Sequence, residues 1–154
     1  MAYWLMKSEP EAFSIDDLRA RQKKTEHWDG VRNYQARNML RDQFKKGDLA
    51  FFYHSNCQVP GIAGVVEVVK AGYPDFTAFN PDSKYFDPKS NPDKPRWFMV
   101  DIKFKEKFVS IIPLEILKTI LALKNMQVLR KGNRLSITPV STKEWQTIYR
   151  LAKK

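Results

Sequence analysis

Phe98-Met99-Val100-Asp101-Ile102-Lys103-Phe104-Lys105-Glu106-Lys107-Phe108 carries the clearest two-residue period in the chain. Phe98, Val100, Ile102, Phe104 and Phe108 fall on one side of an extended backbone. Asp101, Lys103, Lys105 and Lys107 fall on the other, as in a long strand with one buried face. Such a strand needs a sheet, and the sequence on either side supplies one. Tyr3-Trp4-Leu5-Met6, Leu49-Ala50-Phe51-Phe52-Tyr53 and Ile62 to Val69 are short aromatic or β-branched runs, and Arg134-Leu135-Ser136-Ile137 reads as the last strand.

Helices alternate with these runs irregularly. Ser14 and Asp17 form a capping box before Ile15 and Leu18, in a helix running to about Arg21. Asn33 stands where an N-cap should, ahead of Ala36, Met39, Leu40 and Phe44 at helical spacing, and Lys46-Gly47-Asp48 ends that element. Pro113 starts a helix carrying Leu114, Leu117 and Leu121. Ser141 and Glu144 cap a final one, with Trp145, Ile148, Tyr149 and Ala152 inward. Between Gly72 and Pro95 five prolines punctuate a polar stretch, a long loop that could serve as a flap over a site. Without a regular βαβ beat, the pattern predicts one α+β domain over residues 1–154, its sheet a small, mainly antiparallel β-barrel flanked by helices.

The 154 residues suffice for a real core, and the fractions of 43% hydrophobic and 29% charged residues are those of a globular protein. Lys and Arg number 27 against 17 Asp and Glu, a net charge of +10 that favours polyanions, nucleic acid first. The lone Cys57 excludes an internal disulfide and fits a reducing compartment. Lys7 and Glu9 interrupt the N-terminal apolar run, so no signal peptide is expected, and no run is long enough to span a bilayer. These features predict a cytoplasmic protein, or a nuclear one in a nucleated cell, without membrane partners. They leave its oligomeric state open.

The most unusual stretch is Trp28-Asp29-Gly30-Val31-Arg32-Asn33-Tyr34-Gln35-Ala36-Arg37-Asn38. It is too polar for a core segment and too aromatic for an ordinary surface loop. Asp29-Gly30 reads as a turn, and Arg32 precedes a helix N-terminus, whose free N–H groups favour an anion. The whole stretch could hold a nucleotide, or it could be a capped surface helix with Trp28 plugging the core. Catalytic constellations are weak by comparison. His54 and Cys57 supply two metal ligands at most, or an unassured nucleophilic pair, and the six glycines form no phosphate-binding loop. Glu9 and Asp29 could form a carboxylate pair, meet a base edge or serve as caps. A non-catalytic binder without metal or cofactor is the expectation.

Five blocks in order resemble the EVE domain family: Trp4 to Pro10, Trp28 to Asn38, Phe52 to Ser55, Pro60 to Gly64 and Arg134 to Ser136. The likeness covers essentially the whole chain. It implies a PUA-like fold, a small β-barrel flanked by helices and related to the YTH readers of methylated RNA. It also implies binding of a modified base in a pocket, a modified cytosine in DNA or a modified RNA base. A base taken out of its stack needs flat partners and polar groups for its Watson–Crick edge. The base-binding candidates are Lys7, Ser8, Glu9 and Pro10; Trp28, Asp29, Gly30, Val31, Asn33, Tyr34 and Gln35; Tyr53, His54 and Ser55; and Ser136. Trp28, Tyr34 and Tyr53 are the flat partners among them. Arg32, Arg37, Asn38 and Arg134 are the phosphate-binding candidates. A generic single-strand binder and an enzyme acting on modified nucleotides are the alternatives.

Overall fold

A computed structural model describes residues 1–153. The long period-two run forms β5, Phe98–Pro113, but it does not keep one face. Val65 of β4 (Gly61–Pro74) pairs with Glu106 and the next residue, Val66, pairs with Phe104, so Lys105 is an extra residue on β5. This bulge reverses the side to which later residues point. Val100 and Ile102 pack into one core, whereas Phe108 and Ile112 pack into another on the opposite face. The expectation that Phe98 to Phe108 share a face is corrected by that single residue.

The remaining strands are β1 (Tyr3–Ser8), β2 (Thr25–His27), β3 (Leu49–His54) and β6 (Ile137–Val140). They join β4 and β5 in a six-stranded sheet ordered β2-β5-β4-β3-β1-β6. The β1–β3 pair is parallel and the other neighbours are antiparallel. The chain between β1 and β3 is the crossover that a parallel pair requires. β2 and β6 are free edges in the strand order, so the hydrogen-bonded sheet is open where a closed barrel was expected. The last strand also lies later than expected, starting at Ile137.

Helices cover both faces. Helix α1 (Ile15–Ala20) and helix α2 (Tyr34–Asp42) bury Ile15, Leu18, Ala36, Met39 and Leu40 against Trp4, Met6, Ala50 and Phe52. Helix α4 (Thr142–Ala152) presses Trp145 and Ile148 onto Leu5, Phe51, Tyr53 and Val65 from the other side. Phe51 and Trp145 stack at 3.9 Å between ring centroids. With both faces buried, β3 is an unbroken apolar run in which alternate residues serve different cores. The helix expected after Pro113 is one turn, α3 (Leu114–Leu117), and Leu121 stands 79% exposed in a separate 3-10 turn.

The capping predictions hold. The Ser14 and Ser141 hydroxyls accept from the Asp17 and Glu144 N–H groups, and the Asn33 side chain accepts from the Ala36 N–H at 3.0 Å. β2 was not foreseen, because Thr25-Glu26-His27 lacks apolar alternation. It is reached through Lys23 and Lys24, both at positive φ, and pairs with Lys103 to Asp101 of β5.

Candidate nucleic-acid interface

The end of β1, the segment after β2 and the Gly72–Pro95 region meet around an open cleft of about 500 Å³, a size suited to a small ligand. From the first come Lys7, Ser8 and Glu9, from the second Trp28, Asp29, Gly30, Val31 and Arg32, and Ser136 joins them. The β1 corner is tied down on several sides. The Lys7 N–H donates to the Ser136 carbonyl at 2.8 Å, the Ser55 N–H to the Ser8 carbonyl at 2.9 Å, and the Ser8 hydroxyl to the Phe13 carbonyl at 2.6 Å.

The Trp28–Arg32 turn is held just as firmly. The Trp28 N–H donates to the Val100 carbonyl at 2.7 Å, continuing the β2–β5 ladder. The Trp28 ring lies edge-on to Phe52 at 5.6 Å and is only 8% exposed, so most of it belongs to the core. Two residues on, the Gly30 N–H donates to Asp75 Oδ2 at 2.8 Å. Gly30 sits at φ 79°, and a Cβ there would lie 2.4 Å from the Tyr85 ring. Glycine is therefore required by both backbone conformation and the aromatic laid across it.

Asp75 is fully buried and organises this wall. Its carboxylate also accepts from Arg32 Nη1 at 3.1 Å and from the Thr77 N–H at 2.9 Å, and the Thr77 hydroxyl donates to it as well. Arg32 donates onward to the Tyr85 carbonyl at 2.8 Å and lies over the Tyr85 and Trp97 rings at 5.5 and 5.2 Å. Arg32, read from the sequence as a phosphate candidate, thus ties the Gly72–Pro95 region down while still lining the cleft. That region, expected as a flap, starts as the end of β4 and contributes Lys84 and Tyr85 to the cleft.

Several candidates named from the sequence take other positions. Tyr53 is 3% exposed in the core beneath α4, on the face of the sheet away from Trp28; burial pushes its hydroxyl up to about 12. His54 accepts from the Ile15 N–H at 3.2 Å, and burial holds its imidazole below the ordinary range. It caps α1 as a neutral ring. Asn33 caps α2, and Pro10 and Ser55 lie outside the cleft lining. Tyr34, 51% exposed, stacks on Trp97 at 4.8 Å with Arg37 over its ring, outside the cleft. Gln35, Asn38 and Arg134 are exposed, and Arg37 donates to the Arg96 carbonyl at 2.7 Å.

The cleft also takes in Ala12, Phe13, Arg21, Glu26 and His27, which the sequence did not single out. Arg21 Nε donates to Glu26 at 2.9 Å, and His27 Nδ1 lies 2.9 Å from the same carboxylate. Only the edge strand brings these together, and no local motif announces it. Desolvation raises the carboxyl of half-buried Asp29, opposed by His27 and by its own backbone N–H and reinforced by Asp75 and Glu26. Among the described residues no helix is long and apolar enough to cross a membrane.

A family model described as the EVE domain matches residues 2–151. Thymocyte nuclear protein 1 of Homo sapiens is 47% identical over 170 residues, covering 99% of this chain and 75% of that protein. Among solved structures, a protein from Pseudomonas syringae is 48% identical with a TM-score of 0.93, over 98% of this chain and 99% of that one. The human THYN1 protein in complex with DNA containing 5-methylcytosine is 47% identical with a TM-score of 0.94, over 100% and 99% of the two chains. None of these names indicates catalysis. The cytoplasmic location expected from the sequence is corrected by the human relative, whose name is that of a nuclear protein. A free cysteine and an interrupted N-terminal apolar run report a reducing environment, which the two compartments share.

Proposed function

Given that this chain belongs to the EVE domain family, we propose that it is a non-catalytic DNA-binding domain that takes a modified cytosine into the cleft beside Trp28. The observation that carries this reading is the likeness, over the full length of the chain, to human THYN1 in complex with DNA containing 5-methylcytosine. The cleft supports it physically. A base withdrawn from its stack needs flat partners, and Phe13, His27 and Tyr85 line the cleft together with the small exposed part of Trp28. Exposed Tyr34 and Arg134, with partly exposed Arg37, lie outside the cleft and are available to the flanking strand. Arg37 and Arg134, with Asn38, are our candidates for phosphate.

The test is affinity for matched oligonucleotides carrying cytosine or 5-methylcytosine at one position. One methyl group in an apolar recess contributes about 1 kcal/mol, so the modified strand should bind several-fold to roughly tenfold more tightly. Equal affinities across a panel of contexts would favour a generic single-strand binder instead.

Binding should also weaken steeply with salt. The net charge of +10 motivates this. Each phosphate neutralised adds about 0.7–0.9 to the negative slope of log affinity against log salt. Titrations from low to physiological salt measure that slope, and a flat response would remove phosphate contacts from the account.

A further inference from the structure

The carboxylates around the cleft are not equivalent. Glu26 is bonded to Arg21, and His27 Nδ1 lies beside it. Glu9 accepts from the Asn56 amide at 2.8 Å. Asp75, just behind, is saturated by Gly30, Arg32 and Thr77. Asp29 alone among these has no hydrogen bond or ion pair from another described residue; only its own backbone N–H serves the carboxylate, half-buried in the cleft wall. A desolvated carboxylate served only by its own backbone N–H is costly to keep, and it repels the phosphates that the rest of the surface attracts.

Its position is nevertheless fixed. The residue before it is bonded through its N–H to Val100, and the residue after it through its N–H to the buried Asp75. A carboxylate on a backbone fixed in this way, with no donor from any other described residue, is set to receive one from outside. Phosphate and sugar-ring oxygens offer none. An exocyclic amine does, and acidic side chains accept from the cytosine N4 amine in DNA readout.

We propose that Asp29 is the specificity-determining residue of the cleft, accepting a hydrogen bond from the 4-amino group of the bound cytosine and excluding thymine. Thymine carries the same 5-methyl group as 5-methylcytosine but presents an O4 lone pair where the amine would be. A wall that read only shape and the methyl group would confuse the two. Asp29 separates them through repulsion between O4 and its carboxylate, with the Ser136 hydroxyl, which has no hydrogen bond to any described residue, lining the same cleft. This inference rests on the reading of the cleft as a base pocket.

The experiment measures binding of otherwise identical DNA with cytosine, 5-methylcytosine or thymine at one position. The strands are used single, and also as duplexes with an abasic site opposite, so that no pairing energy differs. The wild-type protein should prefer 5-methylcytosine to thymine by roughly ten- to a hundredfold, the range for a good polar base contact. Asp29→Asn, whose amide can both donate and accept, should bring that ratio to about twofold or less by allowing O4 to be accepted. Because it removes a desolvated charge that no other described residue bonds, the variant should melt close to or above the wild-type temperature, which shows that it is folded. Asp29→Ala should lose the same discrimination, because 5-methylcytosine loses its acceptor and thymine loses the repulsion. A wild-type ratio preserved in Asp29→Asn, or equal wild-type affinity for 5-methylcytosine and thymine, overturns the proposal. Failure of the modified-base reading shows separately, as equal affinity for cytosine and 5-methylcytosine. Discrimination against thymine that disappears in the variant would then still uphold Asp29 as the reader of the amine.

Discussion

Trp28→Ala will lower stability by about 3–5 kcal/mol, the cost of emptying a large buried aromatic site. In a chain of this size each kcal/mol shifts the melting temperature by about 2–4 °C, so the midpoint should fall by roughly 6–20 °C. The motivation is direct: the indole is 8% exposed, packs edge-on against Phe52 and belongs to the core that α1 and α2 close. The sequence leaves two roles open for this residue, stacking platform or core plug, and the structure favours the plug with a small face turned to the cleft. Trp28→Phe refines the test by keeping most of the volume. It should recover most of the melting temperature, and any remaining loss of oligonucleotide affinity would then report the face that meets the base. An unchanged midpoint in Trp28→Ala would show that the ring contributes little to the core.

Much of this architecture is legible because it depends on local chemistry. Capping at Ser14, Asn33 and Ser141 is written in side chains three residues from the N–H groups they accept from, and the structure uses all three. The aromatic strand from Leu49 and the run from Ile62 are read from composition alone. The PUA-like α+β architecture follows from five motif blocks, and structures with TM-scores of 0.93 and 0.94 share it. The errors arise where a single residue changes the geometry. One extra residue at Lys105 reverses the face of a strand whose period looks unbroken, because a bulge has no compositional mark. Closure of a barrel likewise depends on whether two edges meet, which strand sequences do not encode one at a time.

The cleft was partly legible for the same reason. Motif blocks place Lys7 to Glu9, Trp28 to Arg32 and Ser136 together, and these do line one cavity. Tyr53 misleads because an aromatic at a strand end is as fit for a core as for a pocket, and alternation along β3 sends it to the face beneath Trp145. His27 and Glu26 escape notice because their strand exists only through pairing with β5. Tyr85 escapes because nothing local ties a residue in a proline-rich stretch to a glycine so much earlier in the chain. The tie is Asp75, itself an unremarkable acidic residue in sequence.

Asp75→Ala should accordingly be as damaging as the loss of Trp28, by a different route. It removes one member of a buried ion pair and leaves the Arg32 guanidinium, 23% exposed, without its carboxylate. Breaking such a pair from one side costs about 3–5 kcal/mol, since the surviving charge is stranded away from water. The Gly30 and Thr77 N–H groups lose their acceptor at the same time. The loss should therefore exceed that of Arg32→Leu, which removes a charge but leaves both N–H bonds in place. In the double variant the cost should be less than the sum of the two, because neither charge is then left alone. Thermal melting of the three proteins measures these differences. The cleft should suffer beyond stability: with Gly30 released and the Arg32 bond to the Tyr85 carbonyl unsupported, the wall of Gly30, Arg32 and Tyr85 loses its polar ties. Oligonucleotide affinity measured well below the melting range should fall in Asp75→Ala even where the protein is folded. Strictly additive losses would mean that Asp75 and Arg32 act separately, and unchanged melting in Asp75→Ala would mean that the wall is held by the packing of Trp97 and Tyr85.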